Sequence, residues 1–131
     1  MTVEITPSIQ QVLDHLVDRI PGVVGALVSS ADGFTLAART PSDPFIEPAG
    51  LGAMSAAGLA LSNRLVTTMG ESAATVTVHR SADGQVVVLP IAHLAVLTIL
   101  ASPGSDAEQL ALVGREATRG LDRLFRGAAS V

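Results

Sequence analysis

Apolar residues recur at helical spacing near both ends of the chain. Between residues 9 and 20 they fall every three or four positions, and Pro21 and Gly22 end this first predicted helix. Thr6 is expected to cap its start, because threonine suits that position and a proline follows it as the first helical residue. Another amphipathic helix is predicted over about 105–125, where it opens with a capping box. Each helix has one apolar side that must pack against a core.

The pattern between these helices changes to short apolar runs, some alternating with polar residues, as in β-strands. The predicted strands occupy residues 23–29, 34–39, 73–80, 85–89 and 94–101. Two turns, at 30–33 and 81–84, share the sequence Ser-Ala-Asp-Gly, and Asp-Gly between strands is typical of a hairpin. Hairpins imply antiparallel pairing, so we expect an α/β chain of the α+β sandwich type, a mainly antiparallel sheet covered by helices.

The middle of the chain contains sixteen consecutive residues, 48–63, without a charge. A soluble protein rarely leaves a helix-length segment so apolar unless both of its sides are covered. A helix over about 49–69 would separate large side chains from small ones. The large side chains, predicted to enter the core, are Leu51, Met54, Leu59, Leu61, Leu65, Val66 and Met69. The opposite side, predicted to contact another polypeptide, holds Ala53, Ala56, Ala57, Ala60, Asn63, Arg64 and Thr67.

The strand over 73–80 is the second candidate for an intermolecular contact. Its β-branched residues give it high β-propensity, and a strand of this kind at a sheet edge is open to pairing with another chain. A symmetric homodimer would cover both this strand and the uncharged helix. The strand residues predicted to take part are Thr75, Val76, Thr77 and Val78.

Length and composition narrow the class of protein. The 131 residues fit one domain, 1–131, with a core over about 8–126. Aromatic residues make up 2% of the chain and the net charge is −4, which disfavours nucleic acid as a partner. The longest apolar run, 86–101, is short for a membrane span and contains a proline and a histidine. Without a recognisable signal peptide, a cytoplasmic location is expected.

No arrangement of residues predicts catalysis. There is no cysteine and no lysine, and the sequence lacks both a nucleophile elbow and a phosphate-binding loop. The three histidines, His15, His79 and His93, fall on different elements without the spacing of metal ligands. We therefore predict no enzyme activity and no catalytic, cofactor-binding or metal-binding residue.

Half of the basic residues lie on one side of the last predicted helix. Such a stripe could meet an acidic partner or an anionic membrane, but a solvated surface is the simpler interpretation. Asp122 is within ion-pair reach of two of them and partly neutralises the stripe. Its members are Arg115, Arg119, Arg123 and Arg126.

Several segments together resemble the Roadblock/dynein light chain family, and in particular its bacterial MglB-like branch. The resemblance runs from about residue 10 to residue 124 and depends on the order and spacing of its segments, since each is common alone. These are Ile20-Pro21-Gly22-Val23, Ser30-Ala31-Asp32-Gly33-Phe34, Leu51-Gly52-Ala53-Met54, Ala82-Asp83-Gly84 and Val86-Val87-Val88-Leu89-Pro90 before Leu94-Ala95-Val96-Leu97.

The resemblance implies a five-stranded antiparallel sheet in the order 2-1-5-4-3. It places the second helix on one face and the first and third helices on the other. It also implies a homodimer in which second helices pair and third strands join edge to edge. The implied function is a non-catalytic regulator or scaffold of a small Ras-like GTPase, with a sensor kinase-like protein as a further partner and recruitment to the membrane periphery by such partners.

The alternative function is a small-ligand sensor of PAS/GAF-like type. Such a domain needs a pocket between sheet and helix that is lined by a few polar anchors. The layer predicted here consists of leucine, valine and alanine, which makes the sensor the weaker interpretation.

Overall fold

The computed structural model describes residues 5–42 and 46–129, and within these ranges helices and strands follow the predicted order. The helices are α1 (Thr6–Arg19), α2 (Pro48–Thr67) and α3 (Ala107–Ala129). The strands are β1 (Val23–Ser30), β2 (Thr35–Arg39), β3 (Thr77–Ser81), β4 (Gly84–Ile91) and β5 (Ala95–Ala101).

The five strands form one antiparallel sheet in the order β2-β1-β5-β4-β3, as predicted. β1, β5 and β4 lie in the interior of the sheet, whereas β2 and β3 are its edges. α1 packs against β1 and β2, and α3 packs mainly against β4, so both helices cover one face. α2 covers the other face, where it contacts β1, β2, β4 and β5. The predicted sandwich and its helix placement are confirmed.

The face beneath α1 and α3 holds the larger core. Leu13 of α1 and Leu121 of α3 are fully buried there, among inward residues of β1, β4 and β5 such as Leu97. A glycine brings α3 close to the sheet, because a Cβ on Gly114 would lie 2.8 Å from Cδ1 of Leu89. The apolar side predicted for α1 is confirmed, since its buried residues are Ile9, Leu13 and Leu16.

The layer beneath α2 is smaller and is built from small side chains. Its apolar cluster contains one large helix residue, Leu59. At the N-terminal end of α2, a Cβ on Gly52 would lie 2.5 Å from Oγ1 of Thr35 and 3.3 Å from Cβ of Ser29. The helix therefore approaches the sheet closely, and a larger side chain at Gly52 would not fit without movement.

Several element boundaries differ from those predicted. Ile5, not Thr6, is the residue before α1, and no side chain caps this helix. Asp106 caps α3, with its Oδ1 accepting the backbone N–H groups of Glu108 and Gln109 at 2.9 and 3.4 Å. α2 ends at Thr67, and β3 begins at Thr77 rather than at residue 73. These shifts of one to four residues leave the order of elements unchanged.

The outer edge of β2 is short, irregular and tied to α1. Its pairing with β1 shifts register between Val28 and Ser29, as in a β-bulge. Arg39 forms ion pairs of 3.0 Å with both Asp14 and Asp18 of α1. The hydrogen bond from Arg39, followed by that from Gln10, holds the pKa of Asp14 below its ordinary value.

Gln85 of β4 fixes the connection between β5 and α3. Its side chain is buried, and Nε2 lies 2.6 Å from the carbonyl oxygen of Ser105 and 3.3 Å from that of Pro103. The same nitrogen lies 3.4 Å from the carbonyl oxygen of Ser102. One side chain thus satisfies backbone acceptors along the loop that leads into α3.

Candidate protein-interaction surface

The exposed side of α2 carries most of its large apolar side chains. Met54, Leu61 and Leu65 are exposed to 66%, 61% and 64% of their surface, and Met69 beyond the helix is almost fully exposed. The prediction that these residues enter the core is wrong, and among the large residues of α2 Leu59 alone is buried. α2 therefore presents apolar surface away from its own sheet.

The buried side of α2 explains this reversal. The residues that face the sheet are Gly52, Ser55, Ala56 and Leu59, spaced at helical intervals of three and four. The close approach near Gly52 leaves room for small side chains there, so the large ones are directed outward. The spacing of Gly52, Ser55 and Ala56 is a signal of this orientation in the sequence, but it identifies the buried side only once the close approach of the helix to the sheet is known.

The residues predicted on the far side of α2 have several environments. Ala53, Ala57, Ala60, Arg64 and Thr67 are exposed, as expected. Ala56 is instead buried against the sheet, with 9% of its surface exposed. Asn63 is half-buried, and its Oδ1 accepts the backbone N–H of Ala74 at 2.8 Å. Ala56 and Asn63 thus make contacts within the monomer, the first with the sheet and the second with the connection to β3.

The side of α2 that is open to a partner combines two sets of exposed residues. One set was predicted to face a partner, and the other consists of large apolar residues that were predicted to enter the core. We call it the α2 surface. It comprises Ala53, Met54, Ala57, Ala60, Leu61, Arg64 and Leu65. A contiguous apolar patch of this kind is a common mark of a protein-binding site.

The edge strand β3 is the second open surface. Thr75 precedes the strand and is exposed, whereas Val76 packs against the core beneath α3. Thr77 is half-buried, and its buried Oγ1 lacks a hydrogen-bond partner among the described residues. Val78 is 38% exposed. The predicted strand residues therefore occupy one edge, although Thr75 and Val76 lie outside the regular strand.

The two surfaces adjoin each other. Ala74, in the connection from α2 to β3, is buried in the same small cluster as Leu59 of α2 and Val88 of β4. Val88 is paired with Thr77 at the start of β3. The connection therefore brings the C-terminal part of α2 towards the open sheet edge.

The basic residues of α3 remain exposed. Arg126 forms an ion pair of 2.9 Å with Asp122, as the sequence predicted. The predicted pairing of Asp122 with Arg119 is not among the ion pairs of the described residues. The stripe is therefore neutralised at its C-terminal end.

Other kinds of site find little support in the described ranges. No group of three or more His, Asp or Glu residues converges there as in a metal site. A groove of about 720 Å³ runs between α1 and α3, lined by apolar residues such as Val12 and Leu124 with Glu116 and Arg123. This groove lies between two helices, on the sheet face opposite α2. The sensor alternative requires instead a pocket between the sheet and a helix, lined by a few polar side chains. Among the described helices, none combines the length and apolar character required to cross a bilayer.

A family comparison agrees with this architecture. The sequence model of the Roadblock/LC7 domain family matches residues 9–101, which extend from α1 to the end of β5. The match covers most of the chain, and the protein therefore belongs to the Roadblock/LC7 domain family. Among curated protein sequences, none matches this chain.

Solved structures of MglB have the same fold. A structure described as MglB with tetrameric arrangement is 22% identical, with a TM-score of 0.83 over 94% of this chain and 91% of that chain. MglB from Myxococcus xanthus is 16% identical, with a TM-score of 0.82 over 93% and 90% of the two chains. A Roadblock/LC7 domain from Streptomyces avermitilis is 17% identical, with a TM-score of 0.78 over 89% and 97%.

Proposed function

We propose that this protein is a homodimeric, non-catalytic regulator or scaffold of a small Ras-like GTPase, which docks on the paired α2 helices. The proposal is supported by membership of the Roadblock/LC7 family and by a fold shared with MglB. On this proposal the protein works in the cytoplasm. A sensor kinase-like protein is a further proposed partner, and such partners recruit it to the membrane periphery.

The observation that carries the proposal is the outward apolar side of α2. Burying Met54, Leu61 and Leu65, each exposed to more than 60%, would stabilise an assembly by about 1–2 kcal/mol per side chain. Two copies together would contribute about 6–12 kcal/mol, which is similar to the cost of association. The helices alone therefore barely offset that cost, and pairing of the β3 edges supplies a further contribution.

The proposed regulatory mechanism follows from binding equilibria. A GTPase alternates between nucleotide states whose switch regions differ in conformation, and a partner shifts that balance only if it binds one state more tightly. The α2 surface supplies an apolar contact area with a single positive charge, Arg64. We propose that this surface binds one nucleotide state of the GTPase more tightly than the other.

The first test measures mass and nucleotide-dependent binding. Light scattering during size-exclusion chromatography at micromolar concentration is expected to give the mass of a dimer, whereas a monomeric mass would contradict the homodimer. The immobilised protein is then mixed with a small Ras-like GTPase from the same organism, loaded with GTP or GDP. Preference for either nucleotide form supports the docking proposal, and the absence of any binding overturns it.

A charged substitution localises the docking surface. Ala60→Glu adds a carboxylate to an exposed position of α2, so GTPase binding should fall by at least about tenfold while the circular dichroism spectrum stays that of the folded protein. Leu112→Glu is the matched control, because Leu112 is 59% exposed on α3 at the other face. Equal binding by the two variants would show that the GTPase docks elsewhere.

A further inference from the structure

The layer beneath α2 contains buried hydroxyl groups that lack hydrogen-bond partners. Among the described residues, the hydroxyl oxygens of Ser29, Thr77 and Thr98 are buried without a hydrogen bond. Thr77 and Thr98 are paired with Val88 from either side, and Ser29 is paired with Val96. Residues paired across antiparallel strands point to the same face of the sheet, and both valines belong to the cluster beneath α2. All three hydroxyls therefore lie on the face that this helix covers.

These hydroxyls oppose the attachment of α2 to the sheet. Ser29 and Thr98 are fully buried, so their oxygens lose hydrogen bonds to water and gain none from the described residues. Few apolar contacts offset this cost, because Leu59 is the single large side chain that α2 buries. On the opposite face, the buried amide of Gln85 donates to backbone carbonyl oxygens, although its Oε1 is also unpaired. The layer beneath α2 is therefore the weaker of the two.

Side-chain hydrogen bonds tie α2 to its surroundings near its two ends. Near its start, Oγ1 of Thr35 in β2 donates to the carbonyl oxygen of Pro48 at 2.9 Å. Near its end, Oδ1 of Asn63 accepts the backbone N–H of Ala74 at 2.8 Å. Between these points the helix faces the sheet mainly with small side chains. Its attachment thus depends on few interactions, which favours movement of the helix as one body.

We propose that α2 is a movable lid, loosened by the buried hydroxyls, which lifts from the sheet as one unit while α1, α3 and the five strands stay folded. Lifting gives water access to Ser29 and Thr98, so part of the cost of exposing Leu59 is recovered. Local openings of this kind occur in cooperative units, at a lower free energy than global unfolding. A partner that binds the lifted form more tightly than the closed form shifts α2 towards it. The lid does not depend on the proposed GTPase, whose docking is measured separately by binding.

Hydrogen exchange of the full chain, followed by mass spectrometry, measures the lifting directly. Amides that exchange through a local opening are less protected than amides that exchange only when the whole protein unfolds. The protection factors of α2 are therefore expected to be at least about tenfold lower than those of β5, a central strand of the sheet. Equal protection of α2 and β5 would overturn the proposal.

A substitution on the opposite face separates lifting from global unfolding. Ile99→Val removes one carbon from the core beneath α1 and α3, where Ile99 is fully buried, and should lower the protection of β5 about 2- to 12-fold. The protection of α2 should change by less than about twofold, because the lifted form keeps that core intact. Equal losses in α2 and β5 would mean that α2 opens only when the whole protein unfolds, which contradicts a lid.

Removal of the hydroxyls tests why the lid is loose. Ser29→Ala and Thr98→Val each delete one unpaired hydroxyl with little change of shape, so each should raise the protection of α2 by at least about fivefold. Thr118→Val is the matched control, because its hydroxyl lies on α3 and bonds the carbonyl oxygen of Arg115. It should leave the protection of α2 within about twofold of the parent. If neither Ser29→Ala nor Thr98→Val raises that protection, the buried hydroxyls do not loosen α2 and the proposal fails.

Discussion

At the scale of single residues, Gln85 connects the sheet to the start of α3. Its buried Nε2 donates to backbone carbonyl oxygens in the loop 102–105, the closest contact being 2.6 Å. Each of the two N–H groups of this amide contributes about 0.5–1.5 kcal/mol through its hydrogen bonds, or about 1–3 kcal/mol together. This one side chain therefore contributes more to the stability of the fold than a single hydrogen bond would.

Replacing this side chain tests its contribution. Gln85→Leu retains the volume but removes the donor, so the free energy of unfolding should fall by about 1–3 kcal/mol. Urea denaturation monitored by circular dichroism measures the change. Gln109→Leu, at an exposed position of α3, is the control and should stay within about 0.5 kcal/mol of the parent. If both variants match the parent, the loop does not depend on Gln85.

At the scale of elements, two glycines of α2 differ in their surroundings. A Cβ on Gly52 would meet Thr35, whose Oγ1 donates to the carbonyl oxygen of Pro48 at 2.9 Å, whereas a Cβ on Gly58 would meet nothing within 4 Å. Gly52→Ala should therefore destabilise the fold by about 1–3 kcal/mol through overpacking. Gly58→Ala should stabilise it by about 0.5–1 kcal/mol through helix propensity.

The comparison of these two variants is internally controlled, because the chemical change and the helix are the same. Urea denaturation of each variant, measured at one protein concentration, gives the sign directly. Stabilisation by Gly52→Ala would mean that α2 does not approach β1 and β2 as closely as the structure shows.

The elements differ in how well their orientation could be predicted. α1 has polar residues on one side, so its spacing alone identified Ile9, Leu13 and Leu16 as buried. α2 has no charged side for sixteen residues, and side-chain size was a misleading substitute. The start of β3 was placed too early because Thr75 and Val76 favour strands, although the bond between Asn63 and Ala74 keeps the preceding segment next to α2.

At the scale of the whole molecule, the interaction surface could be predicted only in part. The absence of charge predicted that both sides of α2 are covered; in the monomer one side packs on the sheet and the other is exposed, so cover by a second polypeptide stays a prediction. The outward position of Met54, Leu61 and Leu65 depends instead on how closely the helix approaches the sheet. That distance is a tertiary property, and local spacing does not determine it.

If the protein forms the proposed homodimer, its unfolding temperature depends on the protein concentration. For a homodimer, an approximately 100-fold rise in protein concentration adds about 2.7 kcal/mol per dimer, so the unfolding temperature should increase. Leu65→Glu should abolish this dependence, because a charge on the α2 surface cannot be buried between two subunits without a large cost. The monomer still folds, since residue 65 is exposed to solvent there. Differential scanning calorimetry at two concentrations measures it. A parent protein whose unfolding temperature is independent of concentration would contradict the dimer.

The two edge strands of the sheet differ in how readily they can pair with further copies of the chain. A protein with two flat, unpaired edges could add copies without limit and form fibres. Here β2 has five residues and an irregular register with β1, and Arg39 ties it to α1 through Asp14 and Asp18. In the proposed homodimer, strand addition at β3 would therefore end with the second copy, and a chain rich in valine and leucine would stay a finite particle instead of an amyloid-like aggregate.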